Sequence, residues 1–234
     1  MVDEAPSPES VVRAAVSAFA RRGYSGVKLD GLAKKTGMTK RMIHYHFGDK
    51  RGLYLAALKE ASGRIAPPAE ISNRSYAAPV EGMRRYVDAL YHAFLDNPDA
   101  ARLILRENLD PVAAEEDAAT LAEANDVLLH VERLLLAGQD AGAFRPGISA
   151  VDLLTLIASL CFFRIGNGLT ALSVSDVDLE SRRNVDGMRR MVIDTVLTFL
   201  TSNIPHSGYE SYLESIPASV EDPADVYSAD GGIV

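Results

Sequence analysis

Apolar residues recur along most of the chain at intervals of three and four, the spacing that lines one face of an α-helix. Val12, Ala15, Val16 and Phe19 show it first. Pro8 suits the opening turn of that helix, where the missing N–H has no intrahelical acceptor, and Gly23 supplies the stop. The spacing predicts a second, short helix over about Leu29–Thr36, with Leu32 and Ala33 inward and Lys34 and Lys35 outward. Gly37 ends it, Met38 fills the turn, and Thr39 is placed to cap a third helix reaching about Phe47. Asp49 caps a fourth running towards Arg64, on which Leu53, Ala56, Ala57 and Leu58 can pack.

Pro67-Pro68 and the Ser/Asn-bearing stretch to Ala78 read as a linker. Beyond it the helices lengthen. Met83, Tyr86, Val87, Leu90, Tyr91 and Phe94 line a helix from about Pro79 to Asp96, and a shorter one runs from Pro98 to Asn108. Leu121, Ala124, Leu128, Val131 and Leu135 mark a long helix from about Ala114 to Ala141. The segment Ala150–Leu172 is apolar almost all round, as expected of a helix buried on several sides. Met188, Met191, Val192, Val196 and Phe199 stripe a last helix ending near Ser202. With no strand-like alternation and no internal repeat, the expected fold is all-α, of about nine helices. The expected division is residues 1–66, a larger helical domain over 67–205, and an acidic, irregular tail over 206–234.

Charge sharpens this division. The net charge of −8 is an average over unlike parts. Residues 10–66 hold twelve Lys/Arg and three acids, a net +9, whereas residues 67–234 carry −14. Such asymmetry suits a basic face for phosphates on an acidic body, although a basic segment is also often a plain solvated face. Hydrophobic residues make up 47% of the chain, enough for a sizeable core. The longest near-apolar run, Leu153–Phe163, is shorter than the ~20 residues of a membrane span, so no membrane partner is expected. Asp3, Glu4, Pro6 and Pro8 do not resemble a secretory signal, and a cytoplasmic location is the expectation. The single cysteine, Cys161, lies in the most apolar segment and reads as a small buried hydrophobe.

Catalytic signatures are missing from the sequence. It has no glycine-rich phosphate loop, no HExxH and no GxSxG. Histidines 44, 46, 92, 130 and 206 are scattered, and an i, i+2 pair on a helix points in different directions. No enzyme activity, metal or cofactor is therefore expected, and His46 reads as a structural hydrogen-bonding residue.

Two short helices joined at a glycine within the basic segment meet the requirements of a helix-turn-helix. The recognition helix would expose Lys40, Arg41, His44 and Tyr45, with Ile43 and Phe47 inward. Arg and Lys can pair with guanine O6 and N7 in the major groove. Thr39, Tyr45 and the start of the fourth helix with Lys50 could hold phosphates, and Lys28 joins this DNA-facing set. The same pattern would also serve a basic helix that packs against another protein.

Residues 23–53, GYSGVKLDGLAKKTGMTKRMIHYHFGDKRGL, resemble the DNA-binding domain of the TetR family of one-component regulators. The likeness runs through the GY after the first helix, the Leu-Ala pair of the second, Gly37-Met38-Thr39-Lys40, His46-Phe47, Lys50 and Leu53. Departures are specific. Val27 and Lys28 stand where the family usually has Thr or Ser, at a local cost of about 1 kcal/mol for the missing cap. His44 replaces the usual phosphate-contacting tyrosine, with Tyr45 one place on, and Arg41 stands where glycine is common.

The resemblance implies a dimeric repressor released from a double-stranded DNA operator by a small-molecule effector. An activator, or a ligand-independent DNA-binding protein, of the same fold is the alternative. It implies a homodimer through the last two long helices, about 150–172 and 184–202, which would place two recognition helices ~34–36 Å apart. Effector contacts are expected among Tyr86, Leu90, Phe94, Arg106, Asn108, Leu128, Phe162, Phe163 and Asn167, with Tyr91 and Leu103 as further candidates. Arg106, Arg164 and Asn167 lie on largely buried segments, where polar groups require partners. An internal salt bridge, for example with Glu107 or Glu132, would serve, as would solvent or a ligand carboxylate.

The charge division carries its own test. DNA affinity is expected to fall on the order of a thousandfold between about 50 and about 200 mM salt, as neutralised phosphates release counterions. Salt-insensitive binding in a filter or anisotropy titration would remove the electrostatic basis of the reading.

Overall fold

Ser7 starts the first helix by a reciprocal cap. Its hydroxyl accepts the Ser10 N–H at 3.2 Å while the Ser10 hydroxyl accepts the Ser7 N–H at 3.1 Å. Pro8 then takes the first helical position of α1 (Pro8–Arg22). The computed structural model describes residues 6–72, 78–114, 117, 126–205 and 208–213, and every extended element among them is helical.

After α1 come α2 (Leu29–Thr36), α3 (Lys40–Phe47) and α4 (Lys50–Arg64). The expected linker contains a four-residue helix, α5 (Ala69–Ser72), a difference from the sequence reading; residues 73–77 lie outside the described residues. Next are α6 (Pro79–Asp96) and α7 (Pro98–Leu109). The following helix, α8 (Asp126–Asp140), falls within the expected span, but Ala114 is not helical, and Leu121 and Ala124 lie outside the described residues. The last two are α9 (Ala150–Ser175) and α10 (Arg182–Thr201).

Two apolar cores form. The first collects Val11, Ala15, Val16 and Phe19 of α1, Leu32, Ile43, and Leu53, Tyr54, Ala57 and Leu58 of α4. Ala100 and Leu103 of α7 complete it. The chain therefore changes character near residue 66, but its packing does not divide there, because α7 returns to wall the first core. Leu103, read as a possible effector contact, is one of these wall residues. Tyr54 Oη donates to Glu107 at 2.7 Å, and Glu107 in turn accepts the N–H groups of Val112 and Ala113. Asn97 Nδ2 reaches the Arg64 carbonyl at the end of α4, 3.1 Å away.

The second core joins α6, α8, α9 and α10 through Met83, Val87, Leu90, Val131, Leu135, Leu153, Ile157, Val192 and Val196. Polar contacts fix α10 on α6. Arg189 grips Asp88 with two donors, one at 2.8 Å, and Tyr91 Oη donates to the Val185 carbonyl at 3.0 Å. Gly138 allows the loop after α8 to fold back, since a Cβ there would sit 1.9 Å from the Phe144 ring.

Helix α9 differs from its expectation. It buries Leu153, Ile157 and Cys161 but leaves Phe163 50%, Leu169 84% and Val174 78% exposed. It is long and apolar enough to cross a membrane by length and composition alone, yet only 17% of its most apolar stretch is buried in this single chain. Its first half buries one side on the core, whereas residues 169–175 are largely exposed.

The tail also differs. Residues 208–213 are non-helical, as expected, but they are held in place. Asp152, which caps the start of α9 with Ser149, accepts the Tyr212 N–H at 3.0 Å and the Leu213 N–H at 2.8 Å. Arg145 donates to the Phe199 carbonyl at 2.8 Å and to Tyr212 Oη at 3.0 Å, and its guanidinium lies over the Phe199 ring. Residues 206–207 and 214–234 of the expected tail lie outside the described residues.

Burial pushes the Asp152 carboxyl up, but its hydrogen bonds from the Ser149, Tyr212 and Leu213 backbone outweigh this and hold it below the ordinary aspartate value of 3.8. A folded-state value below the unfolded one stabilises the fold above pH 3.8, and the contribution disappears as pH falls through the folded value. Asp152→Ala is expected to cost about 1–3 kcal/mol at neutral pH, with the gap to the native chain narrowing below about pH 4. Urea denaturation at a series of pH values reads both effects.

Candidate nucleic-acid interface

The turn between α2 and α3 depends on Gly37, whose φ of 71° lies in the left-handed region that L side chains rarely adopt. Met38 follows and is buried at the turn. Thr39 then caps α3, its Oγ1 accepting the Met42 N–H at 3.2 Å. Ile43 anchors α3 on the first core, with Phe47 half-buried against it.

The missing cap on α2 is real: Lys28 occupies the cap position and its side chain makes no capping bond. Val27 is buried in the core, so the substitution exchanges a cap for apolar burial.

This anchoring leaves Lys40, Arg41, His44 and Tyr45 exposed, with Tyr45 at 85%. Positions 41, 44 and 45 follow the i, i+3, i+4 rule and share one face. Lys40 is paired with Asp30 of α2 at 3.1 Å, an exposed contact that contributes little to stability and can be exchanged for a phosphate. Arg41 has no hydrogen-bond or ion-pair partner among the described residues, so its guanidinium is available. His44 Nδ1 lies 2.7 Å from the Gly48 carbonyl. Because that oxygen only accepts, Nδ1 carries the proton, and the ring is tied to the end of its own helix.

Lys50 sits over Tyr24, with Nζ 4.4 Å from the ring centroid, so its position is set by a cation–π contact. The start of α4, expected with Lys50 to hold phosphate, carries the expected Asp49 cap. Asp49 already places a carboxylate there, Oδ1 accepting the Gly52 N–H at 2.8 Å, which fills the anion-favouring end of the helix. Lys28 is exposed at the start of α2.

His46 corrects its sequence reading as a hydrogen-bonding residue. It is exposed, lies beside the Tyr45 and Phe47 rings, and makes no hydrogen bond among the described residues. Met42, 44% exposed, was missed. The pattern that turns Ile43 and Phe47 inward leaves position 42 outside.

The expected effector residues separate into groups. Tyr86, Leu90 and Phe94 are buried on α6, with Leu128 of α8 and Phe162 of α9 packed against the same core. The Phe94 and Phe162 rings meet edge to face, 4.9 Å between centroids. Four expectations are not brought to this core. Arg106 turns to the first domain, donating to the Ala20 carbonyl at 2.6 Å and to Arg21 at the end of α1. Short carbonyls at a helix C-terminus attract a cation, which explains that choice. Asn108 is exposed, Phe163 faces outward, and Asn167 Nδ2 bonds back to the Phe163 carbonyl of its own helix at 3.1 Å.

The second core also buries polar atoms of Tyr86, an expected effector contact, and of His130, which the sequence pattern did not single out. Tyr86 Oη and His130 Nε2 are buried without a hydrogen-bond partner among the described residues, and their rings lie 5.3 Å apart. Burial, aided by Arg133, lowers the His130 pKa, and burial raises that of Tyr86, so both are neutral near pH 7.

A capped recognition helix turned at a glycine, carried on a basic domain and joined to a helical second domain, defines a DNA-binding regulator of the helix-turn-helix class. The chain belongs to the TetR family. Residues 11–57 match the profile of bacterial regulatory proteins of the tetR family, and residues 79–196 match that of the tetracyclin repressor-like C-terminal domain. It is 26% identical over 176 residues to the HTH-type transcriptional repressor NicS of Pseudomonas putida, covering 75% of this chain and 83% of that one. Its fold resembles a tetR-family regulatory protein from Rhodococcus RHA1, with a TM-score of 0.64, 19% identity, and coverage of 82% and 96%. It also resembles the regulator FadR from Bacillus subtilis, solved with stearoyl-CoA, with a TM-score of 0.61, 15% identity, and coverage of 83% and 100%. The protein is thus a DNA-binding transcriptional regulator of a non-enzymatic family. Regulators of this family bind DNA operators and small molecules and act as dimers.

Arg41 supplies the sharpest test of this face. Arg41→Ala is expected to cost ~1–3 kcal/mol of operator affinity and to relax preference at one base pair. Equal weakening on every sequence, measured by competition binding, would assign Arg41 to phosphate instead.

Proposed function

We propose that this regulator is a cytoplasmic, dimeric repressor whose effector binds within residues 67–205 and releases it from its operator. Residues 1–66 read the DNA: Arg41 contacts base edges, while Thr39, Lys40, His44, Tyr45, Lys50 and Lys28 meet the backbone. The effector site is built around Tyr86, Leu90, Phe94, Leu128 and Phe162. The observation that carries the reading is the uncovered apolar face of α9, continued on α10 by Met191, which is 52% exposed. So many exposed apolar side chains on two helices are a liability on a monomer and suit an isologous interface. Pairing α9 and α10 with their two-fold copies also fixes the spacing of two recognition helices.

Repression follows from this geometry and from the named function of the Pseudomonas putida relative. An effector that favours one spacing of the reading heads over the other shifts the population away from the DNA-competent state. Helix α7, shared by both domains, gives the effector site a rigid route to the reading head.

The chain is expected to sediment as a dimer at micromolar concentration, and Leu169→Glu to sediment as a monomer with weakened operator binding. A monomeric native chain would overturn the interface. Selection of bound sequences from random DNA, followed by release of the best site with a metabolite panel, tests repression by effector. Failure of every metabolite to release that site would favour ligand-independent binding.

A further inference from the structure

Arg164 is the most unusual charge in the second core. It sits on the buried side of α9 and is only 9% exposed. Among the described residues it has no hydrogen-bond or ion-pair partner. The groups that sense its charge are Tyr91 and Cys161. Neither can neutralise it. Tyr91 spends its hydroxyl on the Val185 carbonyl, and burial raises its pKa; burial also pushes the Cys161 thiol up to about 12. An arginine remains charged at any working pH, so burying it without a counter-charge carries a large desolvation penalty.

A second observation lies on the neighbouring helices. Tyr86 Oη of α6 and His130 Nε2 of α8 are buried and unpartnered, although buried polar atoms are almost always paired. Tyr86 and Tyr91 share α6, about 7.5 Å apart in helical rise. Helices α6, α8 and α9 pack on one another around this core. One charged and two neutral polar groups thus stand in an otherwise apolar core, the composition of a small-molecule site.

We propose that the effector is a small organic anion whose carboxylate pairs with Arg164 while a neutral polar group of the same molecule meets Tyr86 and His130. This rests on the effector reading above and names its chemical class. Guanidinium matches carboxylate in a two-point, charge-assisted arrangement, and a ligand so bound removes the penalty the free protein carries. The ring-lined surroundings, with Phe94 and Phe162 edge to face, suit an aromatic or alicyclic body.

The test uses the full chain with benzoate and acetate as probes, benzamide and acetamide as their neutral counterparts, and thermal denaturation with calorimetry as readouts. Benzoate is expected to raise Tm and to bind on the order of ten- to a hundredfold tighter than benzamide. Arg164→Met is expected to abolish that preference and, without ligand, to melt at or above the native temperature, since it removes an unpaired buried charge. Arg164→Lys keeps the charge and is expected to retain weaker carboxylate binding. If Arg164→Met does not fold, the benzoate-to-benzamide ratio in the native chain and in Arg164→Lys decides.

Carboxylates that bind no better than amides, or not at all, overturn the proposal. So does an Arg164→Met chain that melts lower yet still prefers benzoate, which would mark a structural arginine. 4-Hydroxybenzoate adds the neutral polar group that benzoate lacks; Tyr86→Phe leaving its affinity unchanged would remove Tyr86 and His130 from the site. A neutral metabolite that releases operator from the native chain and from Arg164→Met alike would leave the effector reading standing and overturn the anion. Arg164-dependent benzoate binding in a chain that no metabolite releases would do the reverse.

Discussion

The structure turns on the grip of α7 on the end of α1. Three orphan carbonyls at a helix C-terminus need donors, and Arg106 delivers two of them from a helix almost ninety residues further along, at 2.6 Å to Ala20 and 3.3 Å to Arg21. Around this clamp, Arg21 pairs with Asp99, Arg51 with Asp117, and Tyr54 with Glu107, all joining the DNA-reading helices to the segment of α7 and its sequel. Helix α7 also contributes Ala100 and Leu103 to the first core while Leu105 reaches Gly166 of α9. The reading head is therefore not a bead on a string. Its innermost wall is supplied by α7, through Ala100 and Leu103.

The second domain handles polarity by a different rule. Where α6 and α10 meet, Asp88 and Arg189 satisfy each other, and the carboxyl is held below its ordinary value by that arginine against the opposing effect of burial. Deeper in the same bundle, Tyr86 Oη and His130 Nε2 are buried without a hydrogen-bond partner among the described residues.

Much of this was legible in the sequence, and what was not has identifiable physical causes. Helix ends were readable because caps are local: Thr39, Asp49 and Gly37 act on residues three or four away. The reading face was readable because Ile43 and Phe47 fix the rotation of α3. Arg106 was not, because its partners are carbonyls of α1, and main-chain acceptors leave no trace in side-chain pattern. Helix α9 misled for a related reason. Uniform apolarity measures how much surface must be covered, not which molecule covers it, so a helix half facing outward resembles one buried on all sides. The tail looked irregular because its binding residues, Asp152 and Arg145, lie about sixty residues upstream and act through backbone N–H groups and ring faces.

The arrangement at Asp152 ties chain beyond the last helix to the start of α9. The carboxylate serves two masters, the first turn of α9 and the backbone of residues 212 and 213. Shortening the chain at the end of α10 would leave Asp152 with one of its three backbone donors, and would strip Tyr212 from the Arg145 guanidinium and the Phe199 ring. The last helix is thus not the last structural part. Residues 212 and 213 belong to the same packed body as α9 and α10.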